Sequence, residues 1–263
     1  MKIKNVLVSY AKAINKEQKL ALKAVKKTLK KYNIKYKVSK REKLKGKYYK
    51  NKDLILALGG DGTFLMTSHF IFDKTPLLGI NSDPPNREGF FMESDAKNFE
   101  KKLKKILGGK FKIKKLHRLE AFIGNEKVRE LALNEFYVAS SKAYHTARYN
   151  ITIKGKTERQ KSSGVLVSAA AGSYAWIKSA GGKTMPLESD KIEYLIREPS
   201  IGRTVSKISL NKGILGSKEK VLIKFEFGKG VIIADSTGKE YKFDSEQKIT
   251  IKMSKKPLNV ITF

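Results

Sequence analysis

Residues 59–63 read Gly-Gly-Asp-Gly-Thr, three glycines around a single carboxylate. The stretch follows the apolar run LILAL (54–58) and precedes FLMTSHFIF (64–72), which has helical length and spacing. Glycines let a backbone come close to a phosphate, and turn N–H groups next to a helix N-terminus favour an anion. Asp61 adds a carboxylate that can meet a metal ion or take a proton from a hydroxyl. Asp-Gly is also a strong hairpin signal. The helical rather than alternating character of residues 64–72 favours the phosphate loop over the hairpin.

Three further stretches carry polar groups where a ligand can meet them. GINSDPPNREGFF (79–91) follows the buried run PLLGIN and sets Asn81, Ser82 and Asp83 at a strand end, beside the glycine loop if the strands are neighbours. LNEFYV (133–138) puts Asn134 and Glu135 inside a strand, where adjacent residues point to opposite faces. KSSGVLVSAAAGSYAWIKSAGG (161–182) reads as a strand, a small-residue loop and a short helix whose N-terminus near Ser173 could hold a phosphate.

Other chemistries find no support. GGKT (181–184) looks like the end of a Walker A loop, but its earlier glycine would fall at Ile177. No GxGxxG and no GxSxG occurs. His69, His117 and His145 lack metal-ligand spacing, and the absence of Cys excludes disulfides, thiol catalysis and a Cys-ligated metal. No protein cluster for a metal is expected.

The elements that must position these residues fall into two regions. Up to Gly108 the chain alternates strands and helices: IKNVLV (3–8), a helix over 16–32, IKYKV (34–38), LILAL, the helix after the glycine loop, PLLGIN (76–81) and an Asp-capped helix over 95–107. That order predicts a Rossmann-like α/β domain with a parallel sheet, residues 1–108. Residues 109–263 are mostly short alternating runs: KFKIKKL, LEAFIG, ELALNEFYVAS, YNITIKG, GVLVSA, KIEYLI, KISL (207–210), VLIKFEF, GVIIAD, KEYKF and KITIKM. They predict an all-β, sandwich-like domain, with the last stretch (257–263) a candidate to pack back on the first domain.

The chain carries 56 Lys and Arg against 25 Asp and Glu, a net charge of +31. Such a field attracts polyanions. The lysines are dispersed and no nucleic-acid reader motif accompanies them, so no specific nucleic-acid site is expected. The N-terminal apolar run is too short and interrupted for a signal peptide or membrane span, so a cytoplasmic protein without a membrane partner is expected.

Taken in order and spacing, these segments resemble the NAD kinase family, which has GGDGT, then GIN…G, then NE, then a DG…STPTGSTAY…GG segment. The likeness covers residues 55 to about 200. It is nearest to the mitochondrial-type branch, whose GVNTDPERSEG is similar to GINSDPPNREG, and in which ALNE, QKSSG, GSYAW and IREP (196–199) have counterparts. The resemblance implies a phosphotransferase that moves the γ-phosphoryl of ATP, or a phosphoryl group of polyphosphate, to the adenosine 2′-hydroxyl of NAD, with Mg²⁺ accompanying ATP. It implies that Gly59, Gly60, Gly62 and Thr63 form the donor-phosphate loop with Asp61 as general base. Asn81 would lie near the nucleotide, and Asn134 and Glu135 would hold NAD. Ser163, Tyr174, Ala175, Trp176 and Ser179 would line the dinucleotide site, with NAD lying across the interdomain cleft. Ser163 replaces the Asp of many members, as in the mitochondrial-type branch. Ala169, Ala170 and Ala171 depart from the usual Thr and Gly or Pro and remove hydroxyls. A homodimer or higher homo-oligomer is expected from family precedent and from the strand edges that must be covered. Two rivals stay open: a lipid kinase of the diacylglycerol or sphingosine type, which shares the fold and the glycine loop but leaves the Asn-Glu pair unexplained, and a catalytically weak NAD-binding protein.

Overall fold

Apolar runs too short for helices become the strands of a first, largely buried sheet. The computed structural model describes residues 3–11, 15–142, 144–203, 208–236 and 239–263. The chain divides into two units, residues 1–115 with 258–263, and residues 116–257.

Unit 1 contains β1 (Asn5–Tyr10), α1 (Lys16–Lys31), β2 (Lys35–Lys40), β3 (Leu54–Gly59), α2 (Asp61–Ser68), β4 (Leu77–Asn81), β5 (Met92–Asp95), α3 (Phe99–Leu107) and β6 (Lys112–Leu116). The chain's last strand, Leu258–Thr262, returns to this unit between β4 and β6. The strand order is β2-β1-β3-β4-last strand-β6, with β5 also on β4, and the pairs of β1 with β2 and β3, and of β4 with β3, β5 and the last strand, are parallel. Every residue of β3 and β4 is buried, as expected for central parallel strands. Helix α1 is capped by Asn15, whose side chain accepts from the Gln18 N–H, and buries Ala21, Val25 and Leu29. Helix α3 buries Phe99, Leu103 and Ile106. The boundary expected after Gly108 lies seven residues later, after Lys115, because β6 joins this first sheet rather than the β-rich region.

Unit 2 contains β7 (Leu119–Ile123), β8 (Glu126–Lys127), β9 (Glu135–Ser140), β10 (Ala147–Ile153), β11 (Lys156–Ser162), β12 (Gly164–Ser168), α4 (Trp176–Ser179), β13 (Ile192–Arg197), β14 (Lys212–Leu215), β15 (Lys220–Phe225), β16 (Lys229–Ala234), β17 (Glu240–Asp244) and β18 (Lys248–Met253). They form two six-stranded sheets, β11-β10-β15-β18-β7-β8 and β14-β13-β12-β9-β16-β17. One apolar core joins them: Tyr149, Ile151, Val221 and Ile223 from the first sheet pack with Phe136, Val138, Val165, Val167 and Ile232 from the second. In β10 and β15 a period-2 alternation supplies that face, while β12 is buried throughout. The strand expected at KISL starts on Lys207, which lies outside the described residues, and residues 208–210 form no strand. Among the described residues no helix is long and apolar enough to cross a membrane.

Candidate active site

The glycine loop joins β3 to α2 at the carboxyl end of two central parallel strands, where open α/β sheets take ligands. A Cβ on Gly59, the last residue of β3, would stand 2.2 Å from the Thr63 hydroxyl oxygen, so a larger residue there runs into the first turn of α2. Gly60 and Gly62 face cations instead: their Cβ positions lie 3.1 Å from Arg87 Nη1 and 3.4 Å from Arg41 Nη1. Arg41 also donates through Nη1 to the Thr63 hydroxyl at 3.3 Å. Two guanidinium groups thus flank a turn whose bare backbone a ligand can approach closely, an arrangement suited to a polyphosphate.

Asp61 opens α2. Its Oδ1 accepts the Phe91 N–H at 2.9 Å and its Oδ2 the Phe90 N–H at 3.0 Å, so the carboxylate is oriented by the loop after β4. The loop is fixed in turn by Phe91, whose ring stacks on Phe64 of α2 at 4.9 Å. Each carboxylate oxygen keeps acceptor capacity for a hydroxyl. Asn81 is buried and occupied within the same loop. Its Nδ2 donates to the Arg87 carbonyl and its Oδ1 accepts the Asp83 N–H, each at 3.0 Å. Asn81 thus shapes the loop that carries Arg87 and holds Asp61.

In unit 2, Asn134 precedes β9 and Glu135 begins it, rather than both lying inside the strand. Both are buried, and among the described residues Asn134 Oδ1 and Glu135 Oε2 have no hydrogen-bond partner. Burial, with the Asp235 carboxylate beside it, pushes the Glu135 carboxyl up to about 8. Asp235, from just beyond β16, accepts the N–H groups of Leu133, Asn134 and Glu135. Buried Arg118 senses the Asp235 charge and donates to the carbonyls of Lys256 and Pro257, while burial lowers its guanidinium to about 10. On the other side, the Ala169 N–H and the Ser168 hydroxyl both donate to the Asn134 carbonyl, at 2.8 and 3.0 Å.

Within the segment 161–182, Lys161 and Ser162 end β11 of the other sheet, and β12 lies beside β9 in the same sheet. Ser163 is exposed, its N–H donates to the Arg197 carbonyl at 3.0 Å, and its carbonyl accepts the Tyr137 hydroxyl at 2.6 Å. Trp176 is half-buried, packs on Tyr137 with ring centroids 4.8 Å apart, and carries the Arg197 guanidinium 4.9 Å from its ring centre. Tyr174 and Ser179 are exposed and Ala175 is half-buried. The short helix expected from near Ser173 is a 3₁₀ turn (Ala171–Tyr174) followed by the four-residue α4, too short to hold a phosphate at its end. Ser173 is spent on that turn, donating to the Ala170 carbonyl and accepting the Met185 N–H. Ala169, Ala170 and Ala171 are buried, so their methyl groups pack inside the unit.

The residues singled out in the sequence therefore form two groups, one in each unit. Sequence reasoning missed Arg41, Tyr137 and Asp235. Arg41 stood in a Lys-rich stretch without a pattern, and Asp235 is brought to Asn134 from 101 positions away. Among the described residues no group of three or more His, Cys, Asp or Glu stands together to hold a metal.

Comparison with known proteins bears on the whole chain. A family model described as "ATP-NAD kinase N-terminal domain" matches residues 3–111. An NADH kinase of Arabidopsis thaliana is 33% identical over 228 residues, 78% of this chain and 72% of the relative. A probable NADH kinase of Oryza sativa subsp. japonica is 30% identical over 206 residues, 70% of this chain, which spans 63% of that relative's length. An NAD kinase from Archaeoglobus fulgidus, solved in complex with ATP, shares the fold with a TM-score of 0.79 at 22% identity, covering 97% of this chain and 92% of that one.

Proposed function

This chain belongs to the NAD kinase family, and we propose that it transfers the γ-phosphoryl group of ATP to the adenosine 2′-hydroxyl of NAD or NADH. The observation that carries the reading is the presence in one chain of two sets: on the first unit a carboxylate in a glycine turn between two arginines, and on the β-rich unit buried polar side-chain atoms that are unpartnered among the described residues. The first suits a polyphosphate and a hydroxyl proton. The second suits the polar edge of a nucleoside, which is bound where buried donors and acceptors lack partners of their own.

In this reading the N–H groups of Gly60 to Gly62 and the guanidinium groups of Arg41 and Arg87 hold the β- and γ-phosphates. Asn134 and Glu135 hold the acceptor nucleotide, against a wall of Ser163, Tyr174, Ala175 and Trp176, with Ser179 at its rim. The 2′-oxygen bonds to the γ-phosphorus as the bond to the bridging oxygen breaks, ADP leaves, and the hydroxyl proton passes to Asp61. Little covalent work is asked of the protein; alignment and charge neutralisation supply most of the acceleration. Magnesium, bound to the phosphates of ATP, adds charge neutralisation. The motifs GINSDPPNREG, QKSSG and IREP support the mitochondrial-type branch, and the dispersed lysines support neither a nucleic-acid nor a membrane role. A homodimer or higher oligomer completes the proposal.

The test is incubation of the purified protein with NAD or NADH and with ATP or polyphosphate, reading NADP(H). Formation of NADP(H) is expected. Phosphorylation of diacylglycerol or sphingosine with NAD left untouched would overturn the assignment, and a monomeric mass by light scattering would overturn the oligomer.

A further inference from the structure

The backbone of residues 133–135 has almost nothing left to offer a ligand. The Asp235 carboxylate takes three of its N–H groups, Leu133 at 3.0 Å through Oδ2, and Asn134 and Glu135 at 2.7 and 3.1 Å through Oδ1. The Asp235 N–H closes the bracket by donating to the Glu135 carbonyl at 2.9 Å. The Asn134 carbonyl is taken by Ser168 and Ala169. Gly172 is pressed on the same residue so closely that a Cβ would stand 2.2 Å from the Asn134 carbonyl oxygen. Asp235 holds this position with φ at +52°, in the left-handed region that Asp and Asn adopt more readily than most residues. A buried carboxylate with three converging N–H donors is a costly arrangement to assemble for a turn alone, since neutral turn chemistry closes such loops without burying a charge.

We infer that Asp235 is the positioning residue for NAD binding: its carboxylate fixes the backbone of residues 133–135 and so aims the Asn134 and Glu135 side chains. This rests on the proposed function, in which Asn134 and Glu135 touch NAD. Burial first, and then the charge of the same Asp235 carboxylate, raises the Glu135 carboxyl to about 8. The groups that face it electrostatically are Asp235, and behind Asp235 the buried Arg118. A protonated Glu135 presents an O–H to a ribose or amide oxygen, which a carboxylate cannot do.

The test measures NAD affinity by calorimetry without a phosphoryl donor, from about pH 6 to about pH 10, on the full chain and its variants. Reading affinity apart from turnover separates this inference from the assignment of the reaction, which fails only if no NADP(H) is formed. Asp235→Asn keeps the left-handed turn and one oxygen, but sets an amide NH₂ against the Leu133 N–H and removes the charge. NAD affinity is expected to fall about tenfold at neutral pH, and the pH at which affinity declines should move down. Asp235→Glu keeps the charge but displaces it by a methylene: affinity should fall while the pH of decline stays near that of the native protein. Wild-type affinity in Asp235→Asn, or a loss of affinity with an unmoved pH of decline, would overturn the inference. Should Asp235→Asn not fold, Asp235→Glu alone decides the point: NAD affinity must fall with the pH of decline unmoved, and wild-type affinity sinks the proposal.

Discussion

The two candidate subsites offer a ligand opposite parts of the chain. The glycine turn of unit 1 offers backbone: side chains are stripped away at Gly59, Gly60 and Gly62, and the one carboxylate present is anchored by amides of a neighbouring loop. The Asn134–Glu135 step of unit 2 offers side chains, because its backbone is consumed by Asp235, Ser168 and Ala169. A phosphate is large, multiply charged and satisfied by any converging N–H groups, so a bare turn suffices. A nucleoside is distinguished by a few hydrogen-bonding edges, and reading them takes side chains held in fixed rotamers by a spent scaffold. The expected consequence is that damage to unit 1 shows in turnover and donor use, and damage to unit 2 in NAD affinity.

The largest effect that sharpens this contrast is Asp61→Asn. Loss of the proton acceptor should lower kcat by ~10²–10⁴-fold with little change in NAD affinity. One of the two amide contacts to Phe90 and Phe91 is lost with it, so the melting temperature should fall by about 2–4 °C per kcal/mol. Wild-type turnover in this variant would assign Asp61 to the architecture of the loop and not to chemistry.

A pair of glycine substitutions breaks the comparison if it is wrong. Gly59→Ala drives a methyl group into the Thr63 side chain, with contacts at 2.2 and 2.7 Å to atoms that cannot swing away. Gly172→Ala drives one into the Asn134 backbone at 2.2 to 2.5 Å. Each overpacking costs about 1–3 kcal/mol if the fold absorbs it. Gly59→Ala should raise the KM for ATP about tenfold and spare NAD, and Gly172→Ala should do the reverse. Equal effects of both on both substrates would dissolve the division of labour.

Titration separates the subsites more gently. Glu135 has its carboxyl raised from 4.5 to about 8, first by burial and then by Asp235. A group raised on folding stabilises fully below its unfolded value and loses that contribution as pH climbs through the folded one. The stability difference between the native protein and Glu135→Gln should therefore move against the native protein between about pH 4.5 and about pH 8 and level off above. Denaturant melts across that range measure it. A flat difference would mean that Glu135 is ionised in the fold.

Legibility in the sequence followed the same division. The glycine loop, the buried strands LILAL and PLLGIN and the α/β order are local patterns, and the structure has them where the sequence put them. Unit 2 read as a set of strands, but its polar edges did not. Strand β11, KTERQKS, and strand β14, KGIL, lie at sheet edges, where burial imposes no apolar alternation, and neither is visible as a strand in the sequence. Strand β6 was visible but its sheet was not, since its pairing depends on the chain's last strand. Asp235 and Tyr137 are ordinary residues in ordinary strands or turns, and only the fold sets them against Asn134 and Ser163.

The smallest effect concerns the wall beside that second subsite. Tyr137 of β9 donates its hydroxyl to the Ser163 carbonyl at 2.6 Å, and Arg197 reaches the same hydroxyl at 3.4 Å while its guanidinium lies over the Trp176 ring. The hydroxyl is therefore the joint between the Ser163 turn and the Arg197–Trp176 stack. Gly164 makes the joint stiff: its φ is +140°, and a Cβ there would stand 2.6 Å from the Val138 carbonyl oxygen and 2.7 Å from the Tyr137 ring. Tyr137→Phe removes the joint and keeps the ring on which Trp176 packs. The Ser163 carbonyl is exposed enough to bond water instead, so the loss should sit at the low end of a hydrogen bond, about 0.5–1 kcal/mol. A KM for NAD raised about two- to fivefold with kcat unchanged is the expected result. A drop in kcat with KM unmoved would place Tyr137 on the side of chemistry, and the contrast between the two subsites would then fail at its weakest point.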